Sequence, residues 1–196
     1  MLIDPEQLKA KGAVQRHYQK NDIVFFEHDQ PAFYYQIIEG SVKMFNSNVE
    51  GKQFIQAVFT SGSSFGEPPL FINEKYPSTA IVTENSLILR MPKEDFLEFM
   101  LRQPEFQMKL IQLLSRRLYN KSITAKEIIN NNPESRILAF LDAYKKKCDE
   151  TEKMIIPYTR QTIADFTGLR IETVIRTLSK MKEEHKIDIV NRKVIF

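Results

Sequence analysis

The stretch TRQTIADFTGLRIETVIRTL, residues 159–178 of the 196-residue chain, predicts two short helices joined by a tight turn. Thr159 is suited to cap the first helix, because its hydroxyl can accept a hydrogen bond from a free N–H group of the first turn. Gly168 can adopt the left-handed conformation that a tight turn requires. Val174 and Leu178 lie one turn apart, on the inward face of the second helix. The pattern is typical of a helix-turn-helix motif.

The second helix of this motif has polar and charged side chains on its outward face. Glu172, Thr173 and Arg176 occupy positions from which a recognition helix contacts base edges in the DNA major groove. Arginine can donate two hydrogen bonds to guanine O6 and N7, and glutamate can accept one from the cytosine amino group. A surface salt bridge between Glu172 and Arg176 is the alternative interpretation. The side chains suited to contact backbone phosphates are Thr159, Arg160, Gln161, Arg170 and Lys180.

Upstream, from about residue 17 to residue 91, short β-favouring runs alternate with turn residues such as Glu39-Gly40. Many short strands at nearly regular spacing predict an all-β sandwich or barrel-like roll. The predicted strands are Ile23–Phe26, Phe33–Ile38, Ser41–Phe45, Phe54–Phe59, Ala80–Val82 and Leu87–Leu89.

A long helix is predicted from Pro104 onward. Its apolar residues fit the a and d positions of a heptad if Lys121 occupies one d position, and they are Ile111, Leu114, Leu118, Ala125 and Ile128. Such a stripe needs a partner, and the same helix of a second subunit supplies one, so we expect a homodimer. The alternative is that the stripe packs on the β-domain of the same chain.

Three helix-poor residues and a proline, Asn130–Pro133, interrupt the helical pattern and predict a hinge. A further helix is predicted over Glu134–Lys147, before the motif described above. We therefore expect an α+β chain in three parts, which are a β-roll sensor domain at 1–103, a dimerisation helix at 104–130 and a DNA-binding domain at 131–196.

Composition narrows the class of protein. A single cysteine, Cys148, excludes an internal disulfide and a four-cysteine iron–sulfur ligand set. The sequence has neither a signal-peptide pattern nor an apolar run of roughly 18 residues, so we expect a cytoplasmic protein. Residues 1–115 contain 11 Lys and Arg against 14 Asp and Glu, whereas residues 116–196 contain 17 against 11. The basic part is the candidate for a polyanionic partner, although an ordinary solvated surface can have the same excess.

Taken with these patterns, the chain resembles the Crp/Fnr family of transcription regulators over essentially its whole length. The run IPYTRQ at 156–161, followed by Gly168 and then by Glu172-Thr173-Val174 and Arg176, is similar to the family's DNA-binding domain, and residues 187–196 resemble its β-wing. Three further motifs resemble the strand-turn signature, the nucleotide-pocket loop and the dimerisation helix of the family, namely Glu39-Gly40-Ser41-Val42, Phe65-Gly66-Glu67 and Ser115-Arg116-Arg117-Leu118. The resemblance implies an N-terminal double-stranded β-helix (a jelly roll like cyclic nucleotide-binding domains), a long dimerisation helix and a C-terminal winged helix-turn-helix.

The resemblance also implies roles for particular residues. Glu172 and Arg176 become the base readers of a palindromic double-stranded DNA site, and Arg160 and Gln161 contact its backbone. The resemblance implies two protein partners, which are RNA polymerase and a second copy of the chain. The chain departs from the family at Arg170, where relatives often have a serine or threonine that caps the recognition helix, and at the isoleucine that follows. The flanks of the half-site are therefore expected to differ.

The sensor is expected to differ from that of relatives that bind cyclic nucleotides. Their pocket loop ends in Arg-Ser or Arg-Thr, whereas this chain has Pro77 in place of the arginine that neutralises the cyclic phosphate. Without that bidentate cation a buried phosphate loses its strongest partner, so cyclic AMP is not the expected effector. Lys75 and Lys121 are candidate substitutes for the missing charge. The candidate effector pocket consists of Gly66, Glu67, Ser78, Thr79, Lys121 and Ser122.

Alternatives to this sensor and to this function remain open. The roll can instead be filled and ligand-free, with Glu67 on its surface; no cofactor is implied, and the small-molecule effector stays unidentified. An enzyme of the cupin type binds a metal through closely spaced histidines, whereas His17 and His28 lie far apart, so neither a metal site nor an enzyme is expected. A cyclic-nucleotide-type module that regulates a bound protein rather than DNA is the second rival, and the exposed face of Glu172 and Arg176 argues against it.

Overall fold

The computed structural model describes residues 2–129, 132–148 and 152–196, except for the side chains of residues 124, 126–129 and 147. The chain divides into two compact units, Met1–Arg116 and Arg117–Phe196. The first combines strands with peripheral helices and the second combines helices with short strands. The expectation of an α+β chain is confirmed.

Two antiparallel sheets build the first unit. The strands are β1 Val14–Tyr18, β2 Ile23–Phe25, β3 Phe33–Glu39, β4 Ser41–Ser47, β5 Gln53–Thr60, β6 Ser64–Phe65, β7 Thr79–Val82 and β8 Ser86–Pro92. One sheet has the strand order β1-β8-β3-β6 and the other has the order β2-β7-β4-β5. Sequential strands alternate between the two sheets, except for the β4–β5 hairpin, as in a jelly roll. The six strands predicted from the sequence are therefore present, and β1 and β6 were missed.

A glycine makes the link between β3 and β4 possible. Gly40 has a φ of +95°, a conformation that residues with a Cβ rarely adopt. A Cβ atom at this position would lie 2.0 Å from Ser86 Oγ, which donates to the Glu84 carbonyl and accepts from the Ser41 N–H. The strand-turn motif of the sequence thus marks a close approach of two backbones.

Aromatic rings fill the interior between the two sheets. Phe25 stacks on Tyr76 with 3.6 Å between ring centroids, and Tyr35 and Phe65 stack beside them. All four side chains are buried. A second cluster joins the sheet that contains β3 to the helices of this unit, and it includes Leu8, Tyr34, Phe96 and Leu110. The helices of the first unit are α1 Pro5–Lys9, α2 Pro68–Ile72 and α3 Lys93–Leu101, and α4 Pro104–Ile129 extends into the second.

The second unit packs three helices against a small antiparallel sheet. Its elements are α5 Pro133–Lys147, β9 Ile155–Ile156, α6 Arg160–Thr167, α7 Ile171–Glu183, β10 Asp188–Val190 and β11 Lys193–Ile195, with the strand order β10-β11-β9. The core comprises Ile137, Leu141, Ile156, Ile163, Ala164, Val174, Leu178, Met181, Ile187 and Val194. The predicted winged helix-turn-helix is confirmed, with α6 and α7 as the motif and the β10–β11 hairpin as the wing.

The predicted apolar stripe of α4 is only partly packed. Leu114 contacts the core of the first unit beside the buried Leu110, whereas Ile111 and Leu118 are 55% and 68% exposed. Ala125 is also exposed, and the side chain of Ile128 lies outside the described residues. The sequence alternative, that the stripe packs on the β-domain, therefore applies to Leu114 but not to Ile111.

The predicted break after α4 lies partly outside the described residues, since Asn130 and Asn131 belong to the undescribed part. Beyond it, Asn132 caps α5, because its Oδ1 accepts a hydrogen bond of 3.0 Å from the N–H of Glu134. Pro133 occupies the first helical position, where a missing N–H costs nothing. These two residues explain why α5 begins where it does.

Candidate nucleic-acid interface

The first helix of the motif begins and ends as the sequence predicts. Thr159 caps α6 through a hydrogen bond of 3.1 Å from the Thr162 N–H to its Oγ1. Gly168 ends the helix with a φ of +69°. Ile163 and Ala164 are buried against the rest of the unit. The turn at Gly168 therefore fixes the direction in which α7 begins.

The second helix buries an apolar stripe and exposes charged residues on its outward face, where Ile175 is exposed as well. Val174, Leu178 and Met181 are buried, whereas Glu172 and Arg176 are exposed and Thr173 is half-buried. Within the described part of the chain neither Glu172 nor Arg176 forms an ion pair with the other or with a third residue. The alternative of a surface salt bridge between them is therefore not seen. Both side chains are available to an external partner.

The ends of α7 differ in how their backbone groups are satisfied. Arg170 occupies the N-cap and its side chain makes no capping hydrogen bond, as expected from the departure at this position. The first N–H groups of α7 therefore have no side-chain acceptor at the cap, and the positive end of the helix dipole lies at these groups. Near the C-terminus, Lys180 Nζ lies 3.5 Å from Glu184 Oε1. Lys180 is exposed, and its charge is partly neutralised by the carboxylate of Glu184.

The two residues that open α6 make bonds that the sequence did not predict. Arg160 Nη1 donates to the backbone carbonyl of Arg192 at 3.2 Å, and burial lowers the pKa of the Arg160 guanidinium. Gln161 Nε2 donates to Asp165 Oδ1 at 2.7 Å. The contact between Arg160 and Arg192 joins α6 to the wing across 32 positions, so no local pattern could have indicated it.

The candidate effector residues of the first unit lie against the aromatic interior. Glu67 and Ser78 are buried, and Ser64 donates a short hydrogen bond to Glu67. The alternative that placed Glu67 on the surface is therefore wrong, because this residue, which follows the end of β6, is fully buried. A Cβ at Gly66 would lie 3.1 Å from the Phe25 ring and 3.3 Å from the Tyr76 ring. The rings of Phe25 and Tyr76 occupy the space in front of this loop.

The other members of the candidate pocket are placed differently. Thr79 is half-buried and its Oγ1 accepts from the Glu27 N–H at 3.0 Å. Pro77 is exposed, and its carbonyl accepts a hydrogen bond from Asn46. Lys121 and Ser122 belong to the second unit, where both are exposed on α4. The structure brings Gly66 and Glu67 to the aromatic cluster and buries Ser78, and it leaves the grouping with Lys121 and Ser122 a prediction.

Two searches of the described residues bear on other kinds of site. Among residues 2–129, 132–148 and 152–196, no group of three or more His, Cys, Asp or Glu side chains is arranged to bind a metal ion. In the same part of the chain no helix combines the length and the apolar character needed to cross a membrane.

Comparison with known families agrees with this architecture. Residues 15–103 match the profile of the cyclic nucleotide-binding domain, and residues 135–196 match that of the Crp-like helix-turn-helix domain. The two matches together span most of the chain and fall on the β-roll and on the winged helix-turn-helix.

Individual relatives match the chain across both domains. The chain is 26% identical to the cAMP-activated global transcriptional regulator CRP of Pasteurella multocida, over 98% of this chain and 95% of that protein. It is 22% identical to the nitrogen fixation regulation protein FixK of Bradyrhizobium diazoefficiens, over 89% of this chain and 74% of that protein. Its fold is similar to that of the c-di-GMP-responsive global regulator CLP of Xanthomonas campestris, with a TM-score of 0.84, 19% identity and 97% of each chain covered. The chain belongs to the Crp/Fnr family of DNA-binding transcription regulators.

Proposed function

We propose that this protein is a dimeric regulator that binds a palindromic DNA site through α7 and is controlled by a signal received at its β-roll. The observation that carries the proposal is the outward face of α7, where Glu172 and Arg176 are exposed and form no ion pair within the described residues. An exposed, unpaired Glu–Arg pair near the start of the second helix of the motif matches the chemistry of base recognition.

The residues of the motif divide into two kinds of contact. Glu172, Thr173 and Arg176 read base edges in the major groove, each good bidentate pair contributing roughly 1–3 kcal/mol of discrimination between bases. Thr159, Arg160, Gln161, Arg170 and Lys180 contact the phosphate backbone and set the register of the protein on the duplex. The free N–H groups at the start of α7 add to the attraction for a phosphate.

A dimer supplies two such helices in one complex. Residues of about 104–129 pair with the same residues of a second copy, and the exposed Ile111 and Leu118 support this role. Two recognition helices then enter successive major grooves roughly 34 Å apart, which predicts an inverted repeat in the site. The division into a sensor domain at 1–103, a dimerisation helix at 104–130 and a DNA-binding domain at 131–196 belongs to the same proposal.

The effector is a signal other than cyclic AMP. The Pasteurella relative is cAMP-activated, but this chain has Pro77 where such proteins place an arginine, and Phe25 and Tyr76 fill the space before Gly66. A phosphate brought into this aromatic interior would lack the cation that compensates its desolvation. From the resemblance to the family we infer that the regulator acts in the cytoplasm and that RNA polymerase is a partner. It catalyses no reaction.

Selection of random duplex DNA by the purified protein, followed by sequencing, tests the proposal. We expect an enriched inverted repeat, and we expect Arg176→Ala to lose preference at the base pair that Arg176 reads by roughly 10- to 100-fold, because a bidentate guanine contact is lost. Lys182→Ala, which removes an exposed charge from the last turn of the same helix, is the matched control and keeps the preference.

Two other results would contradict the proposal. Unchanged discrimination by a folded Arg176→Ala variant would remove Arg176 from the base-reading set. Absence of any enriched sequence, with and without cell extract as a source of effector, would favour the rival function, in which the second unit binds a protein.

A further inference from the structure

Among the residues that the structure describes, one arginine of the first unit has a buried donor without a partner. Arg90 lies on β8, and its Nε atom is buried and makes no hydrogen bond. The guanidinium lies over the Phe33 ring, with 4.8 Å between Cζ and the ring centroid. A ring face attracts a positive charge, but it does not replace an oxygen as a hydrogen-bond acceptor. A buried donor of this kind is rare enough to need an explanation.

A second arginine and two tyrosines share one face of the same sheet with Arg90. Tyr35 on β3 pairs directly with Arg90, so the two side chains point to the same side. On the opposite flank, β1 places Arg16 against Ile88, two residues before Arg90. Tyr18 follows Arg16 by two residues and therefore has the same orientation. Arg16 and Arg90 are diagonal neighbours, roughly 7–8 Å apart, a distance that long side chains can bridge.

The hydroxyl groups of these two tyrosines are also unpartnered. The hydroxyl of Tyr34 donates a hydrogen bond of 2.9 Å to a glutamine side chain, and that of Tyr76 donates one of 3.4 Å to a backbone carbonyl. Within the described residues neither Tyr18 nor Tyr35 makes such a bond, although they are only 8% and 5% exposed. Buried tyrosine hydroxyls usually have a partner. The arginine–tyrosine cluster, which consists of Arg16, Tyr18, Tyr35 and Arg90, therefore has donors to spare.

The charge near this cluster is positive on balance. In the described part of the chain neither Arg16 nor Arg90 forms an ion pair. Burial raises the pKa of Tyr18, and the charges of both arginines act against this rise, so both lie within electrostatic reach of the phenol. Asp22 and Asp29 are the acidic groups whose charges reach the tyrosines. Each carboxylate accepts a hydrogen bond from a backbone N–H and pairs with neither arginine.

We propose that the arginine–tyrosine cluster binds a small oxyanion group, a carboxylate or a phosphate. Arg90 supplies a planar fork that suits two oxygens of such a group, and Arg16 adds a second charge. The phenols of Tyr18 and Tyr35 donate to the remaining oxygen lone pairs. Arg16 is exposed and Arg90 is half-buried, so the anion approaches from solvent. None of these residues belongs to the DNA-binding motif or to the candidate effector pocket, and the inference is independent of the proposed function.

A purely structural role for the arginines is the competing explanation. Arg16 lies over the Tyr18 ring, with 5.5 Å between Cζ and the ring centroid, as Arg90 lies over Phe33. In that role the guanidinium groups only cover the rings, and no anion is needed. The two explanations differ in what an added oxyanion does to the protein. Only a binding site makes the stability of the fold depend on the concentration of the anion.

Titration of the full chain with sodium phosphate and, separately, with sodium acetate tests the proposal. Two-dimensional NMR of the arginine Nε–H groups follows binding, and sodium chloride at equal ionic strength corrects for screening. We expect saturable shifts of the Arg90 and Arg16 signals with at least one probe, which identifies the anion as tetrahedral or planar. Arg16→Gln weakens binding by roughly tenfold or more, because a charged hydrogen bond is lost. Tyr18→Phe keeps the ring, removes only the hydroxyl, and weakens binding by roughly threefold or more.

The matched control is Arg102→Gln. Arg102 lies at the end of α3, where its Nη2 is 2.6 Å from Glu98 Oε1, so the variant loses one arginine charge away from the cluster. We expect the bound anion to raise the melting temperature of the wild type and of this control, but not that of Arg16→Gln. Both cluster variants are expected to fold, since Arg16 is exposed and Tyr18→Phe preserves the packing. Saturable binding of neither probe, or wild-type binding by both cluster variants, would overturn the inference.

Discussion

Arg176 and Glu172 lie four residues apart on α7, a spacing at which opposite charges usually pair for a few tenths of a kcal/mol. In the part of the chain that the structure describes they do not pair, although Lys180 and Glu184 at the same spacing on the same helix do. An unpaired side chain has no intramolecular bond to lose when DNA approaches. The free energy of a base contact is therefore not reduced by the loss of an ion pair within the protein.

Arg170 offers a test of helix capping. Because its side chain makes no capping bond, we expect Arg170→Ser to stabilise the second unit by about 1 kcal/mol through a hydroxyl that accepts from the first turn of α7. Arg170→Ala is the control, since it removes the same charge and provides no acceptor. Urea unfolding followed by circular dichroism measures the difference. The serine variant should be the more stable of the two, and equal midpoints would contradict the capping argument.

Stacked aromatic rings fill the space between the two sheets of the roll. Because two of these rings are tyrosines, they affect the stability of the unit at high pH. Burial raises the pKa of Tyr35 to about 12 and raises the pKa of Tyr76 further; the nearby Tyr18 adds to the shift of Tyr35, and Tyr35 adds to the shift of Tyr76. In the unfolded chain both phenols have the ordinary tyrosine pKa of 10.0. The folded state therefore holds protons that the unfolded state releases, and the stability due to this burial is complete below about pH 10.

We expect the first unit to lose stability as the pH rises from about 10 to about 12, by roughly 1.4 kcal/mol per pH unit for each buried tyrosine. Tyr35→Phe removes one ionisable phenol, so the loss should be less steep. Urea unfolding at pH 9, 10 and 11 measures it, with Tyr119→Phe, at an exposed site, as the control. Equal pH dependence in Tyr35→Phe and in the wild type would show that Tyr35 is not the group involved.

How far the sequence predicted each element depended on the strength of its local pattern. The strands that were predicted contain runs of β-branched and aromatic residues, whereas β1 has three polar residues at its centre and is exposed except at Tyr18, and β6 has only two residues. The helix-turn-helix was predicted because its cap, its glycine and its apolar spacing are all local. The burial of Glu67 and the bond from Arg160 to Arg192 depend on residues that only the tertiary fold brings together.

Charge and apolar surface are distributed differently along the molecule. The second unit contains most of the excess of basic residues, and the first is acidic on balance. The helix α4 has one apolar face against the core of the first unit, with Phe106, Leu110 and Leu113. The 3.6-residue repeat places Met108, Ile111 and Leu118 on a different face, where all three are exposed. An exposed apolar stripe on a helix is what a symmetric dimer interface requires.

Leu118→Asp tests whether this stripe joins two copies. A carboxylate at the centre of a dry helix–helix contact would be desolvated without a partner, so we expect the variant to be monomeric at micromolar concentration, whereas the wild type is a dimer. Sedimentation equilibrium measures the mass. Leu101→Asp is the control, since Leu101 is 78% exposed at the end of α3 and lies outside the stripe.

A monomer also loses the linkage between its two half-sites, so affinity for an inverted repeat should fall to that for a single half-site. A wild-type monomer, or a Leu118→Asp dimer that still binds the inverted repeat as tightly as the control, would place the dimer contact elsewhere on the chain.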